Sequence, residues 1–212
     1  MFQQMLNASR AVLLHPSVAT FEEYERDDLG GALIYTLIAA VAAAILRAIG
    51  GLLQRAALEQ QMANFERQLG NSPALPLVRS LIGGGGVVFT LVFTLFAAFI
   101  GFFIGVGIIY LLGRAFGGTG TFGEMAYNIA LYSAPITVLS SLLGIIPILG
   151  GLVALLLGFY QIYLNWLSIQ AGMNLPGSKA LWVILIPILV VLLLCCGVFV
   201  LLFLTILGAS RQ

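Results

Sequence analysis

Charged side chains are scarce in this sequence, and their scarcity excludes an ordinary soluble domain. Only 8% of the 212 residues are charged and 61% are hydrophobic, whereas a soluble domain carries roughly a quarter charged residues. No charge occurs between Arg79 and Arg114, between Glu124 and Lys179, or between Lys179 and Arg211. A charge at mid-bilayer costs at least about 2.5 kcal/mol. Long uncharged runs of this kind therefore predict membrane-spanning helices.

Histidine and cysteine are also scarce, so the chain has few side chains of the types that bind metals or act in catalysis. One His and two Cys are too few for a zinc site with its usual four N or S ligands. The adjacent Cys195 and Cys196 lie in an apolar run and are expected to pack rather than pair. An intramembrane serine protease would need a base within the bilayer, but His15 and Lys179 lie outside the predicted spans. We therefore expect no enzyme, with no catalytic residue, metal or cofactor.

The uncharged runs divide the chain into a polar N-terminal segment, residues 1–28, and a membrane domain, residues 29–207. Because a helix crosses a bilayer with about 20 residues, the domain is expected to be an all-α, polytopic five-helix transmembrane bundle. The predicted spans are 29–49, 87–112, 125–144, 150–171 and 180–207. Residues 52–78 place apolar and charged side chains on different helical faces, which predicts an amphipathic surface helix.

The N-terminal segment is expected to form two short helices. The apolar stripe of the first suits either a helix in the membrane interface or one packed on the protein's own bundle. Pro16 ends it, and Ser17 or Thr20 begins the second, since Thr20 and Glu23 have capping-box spacing. The segment is acidic rather than basic, so we expect the first span to serve as an uncleaved anchor.

Two groups of residues within the spans are candidate functional sites. Ala97, Gly101 and Gly105 recur every four residues on the second span, a spacing that lets a neighbouring helix backbone approach closely. Polar groups and a helix-breaking proline collect on the third and fourth spans, at Asn128, Tyr132, Ser133, Pro135, Thr137, Gln161, Asn165 and Ser168. They could line a polar path, or they could simply hydrogen-bond neighbouring helices.

A glycine-rich loop leads into the third span. Gly117-Gly-Thr-Gly-Thr-Phe-Gly-Glu124 lacks the Gly-Lys-Ser/Thr of a phosphate loop, whereas Thr121 and Glu124 have the spacing of a capping box. Tyr132-Ser-Ala-Pro135 follows. With His15-Pro-Ser-Val-Ala-Thr-Phe-Glu-Glu23 and Gly177-Ser-Lys-Ala180, these segments resemble the bacterial branch of the Ypt-interacting-protein (Yip) family. The resemblance covers about residues 13–207.

The resemblance implies a five-span bundle in the bacterial cytoplasmic membrane, with the N-terminus in the cytoplasm. It also implies a role through protein or lipid partners rather than catalysis. Eukaryotic members carry an Asp-Leu-x-Gly-Pro phrase before the membrane. Here Asp28-Leu-Gly-Gly31 lacks the proline, which argues against binding of a Rab-type GTPase.

Two classes of function are compatible with these features. The first is a non-catalytic scaffold or adaptor that binds membrane lipids, other membrane proteins or a second copy of itself. The second is a small transporter, channel or lipid-handling protein that uses the polar groups within the spans. The net charge of +1 provides no basic field for nucleic acid, so we expect no nucleic-acid partner.

Overall fold

All regular secondary structure in the part of the chain that the structure describes is helical. The structure is a computed structural model that describes residues 2–54, 59–60, 63–64, 67, 87–146 and 149–209. Its longer helices are α1 (Phe2–Leu14), α2 (Val18–Tyr24), α3 (Leu29–Leu53), α4 (Val87–Ala115), α5 (Phe122–Leu143), α6 (Leu149–Gly172) and α7 (Gly177–Ala209). Most of residues 52–78 lies outside the described residues, so the amphipathic surface helix stays a prediction.

Five of these helices are long and apolar enough to cross a membrane. The candidate spans are Leu29–Leu53, Val92–Ala115, Phe122–Leu143, Gly150–Gly172 and Gly177–Val200. At about 1.5 Å per residue, each is at least as long as the roughly 30 Å hydrocarbon core of a bilayer. The prediction of an all-α membrane bundle with five spans is confirmed.

The third span, α5, is the central helix of the bundle. It contacts α1, α3, α4 and α6, and 56% of its span is buried inside the protein, compared with 6% for the α4 span. Every residue from Met125 to Tyr132 is buried. Small residues on α3 permit the close contacts, because Ala39, Ala40 and Ala43 are all less than 9% exposed.

The two N-terminal helices pack on the bundle and enlarge its core. Helix α1 buries Met5, Ala8, Ser9 and Val12. Its hydrogen bonds to the spans include one between the Ser9 and Tyr35 hydroxyls, at 2.9 Å, and one from the Tyr160 hydroxyl to the Leu13 carbonyl, at 2.6 Å. Of the two placements left open by its sequence, α1 takes the one on its own bundle.

Three of the helix starts depend on local hydrogen bonds. Ser17 caps α2 by accepting from the Thr20 backbone N–H at 3.0 Å, so Thr20 lies inside the helix and its predicted capping box does not form. Thr121 and Glu124 do form the capping box that begins α5. Asp28 caps α3 through the Gly31 N–H.

Candidate functional site

The predicted polar cluster separates into three groups in the folded chain. Tyr132 and Ser168 lie with Asn128 in the packed half of the bundle, where α1 and α2 cover α5 and α6. Gln161 and Asn165 line a separate groove between α4, α6 and α7. The remaining members, Ser133, Pro135 and Thr137, share α5. The cluster is therefore not a single line of polar groups, and whether any part of it is functional stays a prediction.

Tyr132 and Ser168 connect α5 to α6 within the core. Both residues are at most 2% exposed, and the two hydroxyls lie within interaction distance. The Ser168 hydroxyl also donates to the Asn165 carbonyl at 3.0 Å, and Phe21 packs edge-on against the Tyr132 ring. This arrangement joins the covering helix α2 to two spans, which explains the pair as packing.

The hydroxyls on the far half of α5 are satisfied by its own backbone. Thr137 donates to the Ser133 carbonyl at 2.7 Å, and Ser141 donates to the Thr137 carbonyl at 2.8 Å. Arg47, near the end of α3, donates its Nε to the Ser141 hydroxyl at 3.1 Å. Such bonds back to the preceding turn are common for Ser and Thr in helices, and they use the hydroxyl donors of Thr137 and Ser141.

Asn128 is the most deeply buried polar side chain near the acidic segment. It is 0% exposed, and neither its Nδ2 nor its Oδ1 has a partner of standard hydrogen-bond geometry among the described residues. It lies against the last residue of α6, since a Cβ at Gly172 would be 2.9 Å from the Asn128 Nδ2.

The Glu25 carboxyl faces Asn128 from the segment between α2 and α3. Burial is the largest cause that raises the pKa of this carboxyl, and the charges of Glu124 and Glu22 raise it further. The Asn128 amide acts in the opposite direction and lowers the pKa, although the two groups do not form a standard hydrogen bond. The net effect is a raised pKa, so the fold favours the protonated form of Glu25.

Gln161 and Asn165 line a groove of about 300 Å³ between α4, α6 and α7. Most of the other lining is aliphatic, at Ile109, Ile162, Val183, Ile184 and Ile188. The Asn165 Oδ1 is buried and has no hydrogen-bond partner among the described residues. The groove therefore combines two amide-bearing residues with an apolar wall.

The predicted helix-contact residues of α4 have no partner within the described chain. Ala97 and Gly101 are exposed, and a Cβ at Gly101 or Gly105 would meet no atom within 4 Å. The contact between α3 and α4 uses the neighbouring face, where Ala40 and Ala98 line a gap of about 10 Å³. Among the residues that the structure describes, nothing covers this small-residue seam on the outside of the bundle.

The glycine-rich loop between α4 and α5 has a structural role that its sequence did not reveal. The Thr119 N–H donates to the Met173 carbonyl at 3.0 Å, and Lys179 Nζ donates to the Phe116 carbonyl at 3.0 Å. A Cβ at Gly120 would lie only 2.7 Å from the Gly172 carbonyl carbon. The loop thus packs backbone against backbone on the α6–α7 turn, and glycine is required for that approach.

Within the described ranges, no three His, Cys, Asp or Glu side chains are grouped so that they could hold a metal ion. Cys195 and Cys196 are unpaired and exposed on α7.

The fold defines a polytopic helical membrane protein whose N-terminal helices pack on five candidate spans. The family model described as the Yip1 domain matches residues 10–206, and the chain belongs to the Yip family. The match begins within α1, at residue 10, and includes α2 and the five candidate spans. Neither the curated proteins nor the solved structures contain a match to this chain.

Proposed function

We propose that this Yip-family chain is a non-catalytic membrane scaffold or adaptor that binds another membrane protein or a second copy of itself. The observation that carries this proposal is the open seam of Ala97, Gly101 and Gly105 on α4. Association of helices in lipid depends on close packing, since apolar contact alone gives no advantage over lipid. A seam of small residues supplies that close approach, and no described residue of this chain occupies it.

Photo-cross-linking in native membranes tests this proposal. A benzophenone amino acid at position 97 should give adducts of discrete mass, and Gly101→Leu should abolish them, because its side chain fills the seam. Gly107→Leu is the matched control, since it adds the same side chain elsewhere on α4, at another open position. The scaffold proposal would be refuted if the protein gives no adduct, stays monomeric in mild detergent and co-purifies with no other protein.

The proposed location is the bacterial cytoplasmic membrane, with α1 and α2 on the cytoplasmic side. The five candidate spans support opposite sides for the two ends of the bundle, and the family resemblance supports the assignment of the N-terminal side. The orientation is tested with Ala19→Cys, at an exposed position of α2, in a variant without Cys195 and Cys196. A membrane-impermeant maleimide should label this cysteine only after the cells are opened. Labelling in intact cells would place α2 outside and contradict the proposal.

A transporter, channel or lipid-handling protein is the second candidate, and the groove beside Gln161 and Asn165 favours it. A polar group that faces a cavity inside a membrane is a common feature of transport sites. Solute or ion flux into liposomes that carry the wild type or Asn165→Leu tests this candidate. Identical flux at the background level in both samples would exclude a channel or transporter of the solutes tested.

A further inference from the structure

Two exposed cations lie at the adjoining ends of α4 and α7. Arg114 is in the last turn of the α4 span, and Lys179 is in the first turn of the α7 span. Basic side chains at the ends of spans reach the level of the lipid head groups. Leu111 and Leu181, each within one turn of a cation on the same helix, are 68% and 47% exposed. The basic pair therefore borders apolar surface that acyl chains can cover.

The loop after α4 holds both cations around one residue, Gly117. Lys179 Nζ donates to the Phe116 carbonyl at 3.0 Å, and Arg114 Nη1 donates to the Gly118 carbonyl at 3.2 Å. These carbonyls belong to the residues on either side of Gly117, and a Cβ at Gly117 would lie 3.8 Å from the Lys179 Nζ. Gly117 has a φ of +93°, a left-handed conformation that suits glycine after a helix. The fold itself thus brings the two cations together.

The charge of the basic pair is not matched by an acidic group of the described chain. Neither Arg114 nor Lys179 forms an ion pair with a described residue. Glu124, the next acidic residue in the chain, accepts a bond from the Thr121 N–H at 2.7 Å instead. A guanidinium has five N–H donors and an ammonium has three, so the single bond that each makes to the loop leaves donors for an anion.

We propose that this basic pair binds the phosphate of an anionic phospholipid. Arg and Lys are the usual ligands of phosphate, and cations beside a span attract anionic lipids. A phospholipid, unlike a soluble phosphate, also places acyl chains against the exposed leucines of α4 and α7. Phosphatidylcholine carries its own ammonium, which the pair repels, so the site selects a lipid with net negative charge. The site does not rest on the scaffold proposal, because the small-residue seam of α4 is not part of it.

Competition between lipids on the full chain tests this site. The protein in neutral detergent micelles is equilibrated with radiolabelled phosphatidylglycerol, and unlabelled phosphatidylglycerol or phosphatidylcholine with the same acyl chains is added. Near a membrane surface each cation favours an anionic lipid about fivefold, so the pair should give about a 30-fold preference. Inorganic phosphate, added at constant ionic strength, should not displace the label. Displacement by inorganic phosphate at the concentration at which phosphatidylglycerol acts would contradict a lipid site.

Charge-removing variants locate the site. Arg114→Gln and Lys179→Gln keep a side-chain donor for the loop carbonyls but lose the charge, so each should reduce the preference to about fivefold, and the double variant should abolish it. Lys179→Arg keeps the charge and should keep the preference. Arg10→Gln, which removes one positive charge from an exposed position of α1, is the matched control and should also keep it.

Three results would overturn the site. They are equal displacement of the label from the wild type by the two lipids, an unchanged preference in the double variant, and an equal loss of preference in Arg10→Gln. The comparison of lipids on the wild type and on Lys179→Arg decides the question even where the double variant fails to fold. Because cross-linking at position 97 is measured separately, failure of this site is distinguishable from failure of the scaffold proposal.

Discussion

The substitution Gly120→Ala is expected to separate the α4–α5 loop from the α6–α7 turn. The added Cβ would lie 2.7 Å from the Gly172 carbonyl carbon and 3.2 Å from the Met173 Cα, and nearer still to the Gly172 oxygen. Ordinary contact begins near 3.4 Å, so the two backbones must part by at least about 0.7 Å, which is the difference between the first distance and that limit. No side chain can rotate away to relieve the clash, since its atoms belong to the backbone.

The cost of this change has two parts. Overpacking of a well-packed contact costs about 1–3 kcal/mol. Parting of the backbones also weakens the 3.0 Å bond from the Thr119 N–H to the Met173 carbonyl, worth about 1 kcal/mol. Gly120→Ala should therefore lower the free energy of unfolding by about 2–4 kcal/mol.

Unfolding in mixed micelles with increasing SDS, followed by tryptophan fluorescence, measures this loss. Trp166 is a suitable reporter, because its Nε1 donates to the Gly177 carbonyl at 2.8 Å beside the same turn. Gly107→Ala is the control: its Cβ would meet no atom within 4 Å, and alanine favours a helix over glycine by up to about 1 kcal/mol. If Gly120→Ala unfolds within about 0.5 kcal/mol of the wild type, the close packing of the loop on α6 is refuted.

Three further predictions follow from single side chains. Because the pKa of Glu25 is raised in the folded state, the wild type loses stability as the pH rises from 4.5, the ordinary pKa of a Glu carboxyl, through the pKa of the folded state. Glu25→Gln should therefore be more stable than the wild type at neutral pH, and the difference should disappear in acid. A difference in unfolding midpoint that does not change with pH would contradict a raised pKa as its cause. Thr121→Ala removes the cap on the Glu124 N–H and should cost about 1 kcal/mol in the SDS titration, so an unchanged midpoint would count against the capping box. Tyr160→Phe removes the 2.6 Å bond to the Leu13 carbonyl and should cost about 1 kcal/mol, with faster proteolysis between α1 and α2; a cleavage rate equal to that of the wild type would show that this bond does not hold α1.

Local features of the sequence were sufficient for the spans and for one helix start. Uncharged runs longer than a bilayer crossing can be stable only as helices in lipid, so composition and length predict the five spans. The capping box of Thr121 and Glu124 was also predictable, because both partners lie within one turn. Thr20 and Glu23 have the same spacing, but Ser17 caps α2 instead. Spacing alone does not decide between neighbouring hydroxyls.

The candidate polar site was less predictable, because a helical face does not reveal its neighbours. Gln161, Asn165 and Ser168 share one face of α6, yet Ser168 meets α5 in the packed half of the bundle while the other two face the groove beside α4 and α7. The division arises because α6 is packed near its end and more open toward its start. Sequence periodicity predicts the direction in which a side chain points around the helix axis, but it does not predict how far away the neighbouring helix lies.

The sequence by itself determined that this chain resides in a membrane, how many times it can cross, and that its motifs resemble the Yip family. These properties follow from hydrophobicity, length and short-range hydrogen bonds, which each segment carries alone. Only the tertiary structure decided that α1 packs on the bundle, that Gly120 meets Gly172, and that Gln161 and Asn165 line a groove between α4, α6 and α7. Those features depend on contacts between residues far apart in the chain, where the fit of one backbone or side chain against another selects the arrangement.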